Sequence, residues 1–173
     1  MGHPKKLRKK YETPKKPYDK ERLAEEKKLV KDYGLKNKRE LWRAESMLRN
    51  FRRIARELQG KKDEVKEKEL INKLVKFGLV APKATLDDVL ELKESDILER
   101  RLQTIVFKRA LAKTIKEARQ YITHGHVYIN KRKVWWPSYL VPVSEETKIE
   151  LDPKIKSNQI EVKDNKEGEN ATK

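Results

Sequence analysis

Apolar residues recur at three- and four-residue steps through the first half of the chain and give way to short alternating runs from His126 onward. The first pattern predicts helices and the second predicts strands. Asp19 is placed to cap a helix reaching about Tyr33, with Leu23, Val30 and Tyr33 on a thin apolar face and Gly34 at its end. A longer helix follows. Asn37 and Glu40 have capping-box spacing, and Leu41, Ala44, Leu48, Phe51, Ala55 and Leu58 form one stripe before Gly60. Lys62 to Phe77 reads as a third helix turning Leu70, Ile71, Leu74 and Val75 inward. Thr85 and Asp88 announce a short fourth helix carrying Leu86, Val89 and Leu90.

Ser95 is positioned to cap a helix whose apolar members are Ile97, Leu98, Leu102, Ile105 and Val106. After a break at Ala110 to Lys113, the Thr114 and Glu117 pair starts another helix, with Ala118, Tyr121 and Ile122 inward and an end before Gly125. Strand-like runs then extend from His126 to Asn130 and from Val134 onward. In such a strand Trp135 and Trp136 point to opposite faces, one of them into the core. Pro137 fixes the exit, and Ser138 and Tyr139 are expected to make local hydrogen bonds.

Charge changes this picture of a small helical and α+β protein. The chain has 173 residues and a formal net charge of +16. Residues 1–60 hold 20 basic and 9 acidic groups, and residues 101–144 hold 9 and 1, for nets of +11 and +8. Residues 61–100, with 9 and 10, are nearly neutral, and residues 145–173 hold 6 and 8. Two positive blocks flanking a neutral spacer point to a polyanionic partner. No stretch reaches the roughly 18 apolar residues of a spanning helix, so no membrane partner is expected. The amino terminus lacks the apolar core of a signal peptide, and a cytoplasmic protein is expected. The absence of cysteine removes disulfides, thiolate nucleophiles and zinc sites that need a Cys ligand. Residues 1–18, with three prolines and seven basic residues, read as an extended segment that becomes ordered against a partner.

Within the positive blocks, Arg49, Arg52, Arg53 and Arg56 repeat at i, i+3, i+4 and i+7, a face roughly 120° from the apolar stripe at 100° per residue. No acidic residue lies between them in sequence, and four close guanidiniums repel one another unless phosphates or counterions neutralise them. Arginine's planar fork suits phosphate oxygens. From Arg101 to Lys133 the only acid is Glu117, and the backbone amides at the Thr114 helix start offer a further phosphate site beside Lys113. The aromatic residues form no spaced stacking platform, which favours folded RNA over a single strand. His124 and His126 flank Gly125, but only His3 remains as a third imidazole, so turn and RNA roles outweigh metal ligation. No glycine-rich phosphate loop, nucleophile and base set or paired carboxylates mark a catalytic centre; neither an enzyme nor a cofactor is expected.

The ordered series Arg101-Leu102, Ala112-Lys113-Thr114, Ala118-Arg119-Gln120, His124-Gly125-His126, Asn130 and Pro137-Ser138-Tyr139 closely resembles the S-four RNA-binding domain. With GHPKKLRKKYETP and KNKRELWRAESMLRNFRRIAR upstream, about residues 2–151 resemble the archaeal or eukaryotic-type branch of the small-subunit ribosomal protein S-four family. The resemblance implies an α+β fold, a helical amino-terminal region followed by a domain of two short helices on a small antiparallel sheet. The expected division is an extended segment over 1–18, helices over 19–94, the RNA-binding domain over 95–152 and a flexible tail over 153–173. It implies binding to a multi-helix junction in the 5′ domain of small-subunit rRNA, early assembly, and a place near the mRNA entrance beside small-subunit proteins S-three and S-five. Carried onto this sequence, the contacts are Arg49, Arg52, Arg53, Arg56, Arg101, Lys108, Arg109, Lys113, Thr114, Arg119, Gln120, His124, Gly125 and His126. Lys9, Lys10, Tyr11, Lys116, Asn130, Lys131 and Arg132 complete the candidate set. Ala110 and Lys131 depart from the family pattern where glycine is frequent; the first stiffens a turn, and the second places a charged residue where positive φ is expected. A free-standing RNA chaperone or translational regulator is the alternative, and a protein-only scaffold is the alternative from another class.

Overall fold

The computed structural model describes residues 9–61 and 63–153. Expectations for residues 1–8 and for the tail beyond Pro153 lie outside these. The chain forms two compact units, the first ending at Arg100 and the second beginning at Arg101.

In the first unit, α1 (Lys20–Asp32), α3 (Glu64–Lys76), α4 (Leu86–Glu91) and α5 (Glu94–Glu99) all pack against the 24-residue α2 (Lys38–Lys61). The buried residues of α2 are Leu41, Ala44, Leu48, Phe51, Ala55 and Leu58, the whole of its expected stripe. A stripe of that width lets one helix organise several neighbours, each buried leucine contributing about 2 kcal/mol of apolar transfer. Helix α1 ends as expected, with Gly34 at φ 56° and the Leu35 amide reaching back to the Val30 carbonyl. Its start differs: Asp19 occupies the cap position, but its side chain makes no capping bond, and its carbonyl accepts from Leu23. The one fully buried residue of α1 is Glu26. At the start of α4 the Asp88 carboxylate accepts from the Thr85 amide at 2.8 Å, as the spacing predicts.

The helix expected from Ser95 through Val106 is two helices. Helix α5 is closed at its start by the Asp96 carboxylate on the Lys93 amide, and α6 spans Leu102–Lys108. Between them Arg101 is extended (φ −73°, ψ 143°) and bridges antiparallel to Leu140. The Leu102 amide then donates to the Tyr139 carbonyl at 2.8 Å. Helical spacing of the apolar residues survives this break, which is why periodicity alone runs through it. The long-range partner that diverts Arg101 is nearly forty residues away in sequence.

Helices α6 and α7 (Ile115–Thr123) pack together, and a three-stranded antiparallel sheet of order β2-β1-β3 completes the second unit. Strand β1 is Val127–Ile129, β2 is Arg132–Lys133 and β3 is Ile149–Leu151. Between β2 and β3 lies the one-turn helix α8 (Val143–Glu146). Strand β2 precedes the expected run: Val134 still donates to the Val127 carbonyl, but Trp135 and Trp136 lie outside the sheet, before proline, which has no amide to donate. Neither indole is core; Trp135 and Trp136 are 50% and 63% exposed. Strand β3 is a three-residue alternation, too short to stand out in the sequence, with both isoleucine and leucine buried. Residues of α6, α7, β1 and β3, joined by Ala112 and Val141, form one core. Asn130 (φ 51°) and Lys131 (φ 63°) make the tight β1–β2 turn, so Lys131 adopts the left-handed conformation expected of a glycine. Ala110 (φ 55°) does the same after α6.

Candidate nucleic-acid interface

The arginine face of α2 is less bare than its sequence suggests. Arg49 pairs with Glu12 and lies 3.5 Å from Glu45. Arg53 pairs with Glu57 at 2.7 Å. Arg52 is half-buried and donates to the Leu92 carbonyl, and Arg56 is exposed. The mutual repulsion expected to call for phosphates is thus relieved in part by carboxylates one turn away on the helix and by Glu12, far off in sequence. Glu12 belongs to a segment laid on α2: its amide donates to the Ser46 hydroxyl at 3.1 Å, and the Tyr11 ring packs on Trp42 at 5.9 Å. Tyr11 is half-buried by that contact, while Lys9 and Lys10 are exposed and share a cleft with Arg49 and Asn50.

Near the start of α2, Glu26 gathers Arg22 at 2.7 Å, Lys38 at 2.9 Å and the Trp42 indole N–H at 3.2 Å. Burial alone would raise its pKa. Hydrogen bonds from Lys38 and Trp42, with the charges of Lys38 and Arg22, outweigh that and hold it below the ordinary range. A carboxylate in a helix reads from sequence as a solvated face, so nothing in the pattern marks Glu26 as buried.

In the second unit the candidate residues divide by burial. Arg101 is only 5% exposed and occupies the N-cap position of α6. Arg109 is exposed, but it donates to the carbonyls of Glu146 and Ile149, bridging the end of α6 to β3. Arg119 is half-buried and donates at 3.2 Å to Gln103, whose amide donates in turn to the Ile115 carbonyl at 3.1 Å. Gln103, 1% exposed, is therefore a buried polar link between α6 and α7 that apolar periodicity does not detect.

The helix start at Thr114 is already satisfied. Glu117 accepts from the Lys113 and Thr114 amides at 2.6 and 3.3 Å, and its own amide donates to the Thr114 hydroxyl at 3.1 Å. The expected phosphate site on these amides is taken by Glu117. Burial raises the Glu117 pKa, but the Tyr121 hydroxyl, the two amides and the Lys113 charge outweigh it and hold the carboxyl low. The consequence is electrostatic: the single acid between Arg101 and Ser144 turns toward its own backbone.

Lys108, Lys113, Lys116, Gln120, Asn130, Lys131 and Arg132 remain exposed. Exposed His124 and half-buried His126 stack at 6.3 Å between ring centres, and His126 Nδ1 lies 3.7 Å from Asp152. Gly125 between them has φ 76°, and a Cβ there would lie 2.5 Å from Nε1 of Trp135. The glycine is thus required twice, by the turn and by the indole seated on it. Among the described residues no group of three or more His, Asp or Glu side chains is arranged to hold a metal ion, and no helix is long and apolar enough to cross a membrane.

Residues 100–146 match the S4 domain family, from the α5–α6 break to the end of α8. Over 156 residues the chain is 51% identical to small ribosomal subunit protein uS4 of Methanothermobacter thermautotrophicus, covering 88% of this chain and 91% of the relative. The chain belongs to the small ribosomal subunit protein uS4 family. It is also 54% identical over 156 residues to uS4 of Ignicoccus hospitalis, covering 88% and 94% of the two chains. With uS4 of Saccharolobus solfataricus it shares 52% identity over 154 residues, covering 87% and 85%. These alignments bear out the archaeal-type resemblance. The S4 match stops short of β3, whose Ile149 carbonyl receives Arg109.

Proposed function

We propose that this uS4 chain is a structural, non-catalytic constituent of the small ribosomal subunit that binds rRNA and supports subunit assembly. The observation that carries the reading is the set of exposed cationic side chains in the S4 domain, Lys108, Lys113, Lys116, Lys131 and Arg132, in a stretch whose one acid, Glu117, accepts from the amides of its own helix start. In this reading the contact is mainly to phosphates and to the shape of folded RNA. His124, Gly125, His126, Gln120 and Asn130 contribute turn geometry and polar contacts, and Arg56, Lys9 and Lys10 provide the open cations of the first unit. Arg49, Arg52 and Arg53 take part by exchanging or sharing their protein partners with phosphate. Arg101, Arg109 and Arg119 act mostly through the architecture of the domain. The RNA target is a multi-helix junction of the 5′ domain, with the mRNA entrance and proteins S-three and S-five as neighbours.

Chemical footprinting and crosslinking on small-subunit rRNA, with tRNA as competitor, tests this. Protection is expected to concentrate at one junction and to survive tRNA. Uniform protection of unrelated duplexes would defeat the claim of specific architectural binding.

A further inference from the structure

A cleft of about 570 Å3 opens beside β2 in the second unit, and Trp136 forms one of its walls. Its indole is 63% exposed, yet it is not a loose side chain. Trp135 meets it edge-on at 6.3 Å and 86°, and Trp135 is itself seated on Gly125. The Trp136 carbonyl accepts from the Tyr139 amide at 3.1 Å, and the neighbouring Pro137 and Tyr139 carbonyls accept from the start of α6. An exposed aromatic face held in place from behind is prepared to stack on another ring without first being ordered.

The rest of the lining says what kind of ring. Arg132 and Lys133 bring positive charge to the cleft, which suits a phosphodiester strand. Glu145 also lines it, and its Oε2 accepts the Tyr139 hydroxyl at 2.9 Å. A carboxylate accepts hydrogen bonds and donates none, so it selects the base edge that presents N–H groups side by side. Guanine does this with N1–H and its exocyclic amine. Adenine and cytosine place a lone pair next to their one amine, and uracil flanks its single N–H with two carbonyls. We infer that this cleft receives one unpaired guanine of an RNA strand, stacked on Trp136, with its Watson–Crick edge toward Glu145 and its phosphates toward Arg132 and Lys133. The inference deepens the rRNA-binding reading and rests on it.

The test uses the full chain and short uridine-rich single-stranded RNAs that differ in one central base, with binding followed by anisotropy of a labelled strand. The guanine strand is expected to bind about tenfold more tightly than the other three. Trp136→Ala should remove most of that gain, in line with the 5-fold or greater losses seen on deleting a stacking platform (roughly 1–3 kcal/mol per base), whereas Trp136→Phe keeps part of it. Glu145→Gln should level the four bases while leaving residual affinity for all of them. Equal affinity of the wild-type chain for the four strands, or a guanine preference untouched in both Trp136→Ala and Glu145→Gln, overturns the inference and assigns the exposed indoles to a protein neighbour. Binding of the wild-type chain to folded small-subunit rRNA, measured in parallel, separates this failure from failure of the rRNA reading itself.

Discussion

Helix α2 and the S4 domain both carry dense positive charge, but they present it differently. On α2, three of four arginines are held by protein acceptors: Glu12 and Glu45 for Arg49, the Leu92 carbonyl for Arg52, and Glu57 for Arg53. In the S4 domain the nearest acid is withdrawn into a capping box, and the exposed side chains are mainly lysines. The two regions show that formal charge and presented charge are separate quantities. An arginine that is a good phosphate fork is an equally good fork for a carboxylate or a carbonyl, so arginine-rich surfaces are the ones most readily taken up by their own protein. Lysine, a strongly hydrated point charge, stays in solvent.

The sharpest contrast between the two regions lies in their glycines. Gly125→Ala in the S4 domain forces a side chain into the left-handed region and drives a Cβ onto Trp135. A loss of about 2–3 kcal/mol in urea unfolding is expected, with an altered tryptophan emission as Trp135 is displaced. An unchanged midpoint and spectrum would mean that the His124–His126 turn does not depend on this contact.

The next contrast pairs Glu26 with Glu117, one carboxylate in each unit, both with pKa values held below the ordinary 4.5. A depressed folded-state value means that the stabilisation is complete above the unfolded value and is lost as pH falls through the folded one. Glu26→Gln and Glu117→Gln should each cost about 1–2 kcal/mol at neutral pH, and the difference from wild type should close as pH drops below about 4.5. A gap that stays constant down to pH 3 would show that packing, not ionisation, is what the substitution removes.

Charge removal then tests the comparison where it bears on RNA. Lys113→Gln with Lys116→Gln, both exposed, should weaken rRNA binding about tenfold and lower the slope of log affinity against log salt by about 2. Arg49→Gln with Arg53→Gln removes the same formal charge from groups already paired. A change of less than half that slope is expected, because the slope counts phosphates contacted. Equal slopes for the two double variants would erase the distinction drawn between the regions.

The legible part of this molecule is what repeats or what is local. The α2 stripe, the capping boxes at Thr85 and Thr114 and the glycine-ended helices follow from side chains within one or two turns of each other. The ordered set of S4 residues, spread from Arg101 to Tyr139, was legible as a family resemblance and not from local spacing. What escaped the sequence is set by partners remote along the chain. Arg101 leaves the helix because Leu140 pairs with it, Trp135 finds Gly125 across a turn, and β3 has meaning only beside β1. Polar burial is the other blind spot. Glu26 and Gln103 resemble solvent-facing residues until the groups that satisfy them are known, whereas the capping role of Glu117 follows from its spacing to Thr114.

The smallest effect should come from Gly60, the counterpart of Gly125 in the first unit. It lies within α2, and a Cβ built there meets nothing within 4 Å. A helical glycine carries excess freedom in the unfolded chain and gains no packing in return, so Gly60→Ala should stabilise the protein by about 0.5 kcal/mol, reduced from the mid-helix figure by its nearness to the helix end. The measurement is a small upward shift of the urea midpoint with unchanged slope, alongside unchanged rRNA affinity. Loss of stability would mean that Gly60 is held in its place by the turn into α3, and that the first unit, like the second, uses a glycine for a contact its own helix does not reveal.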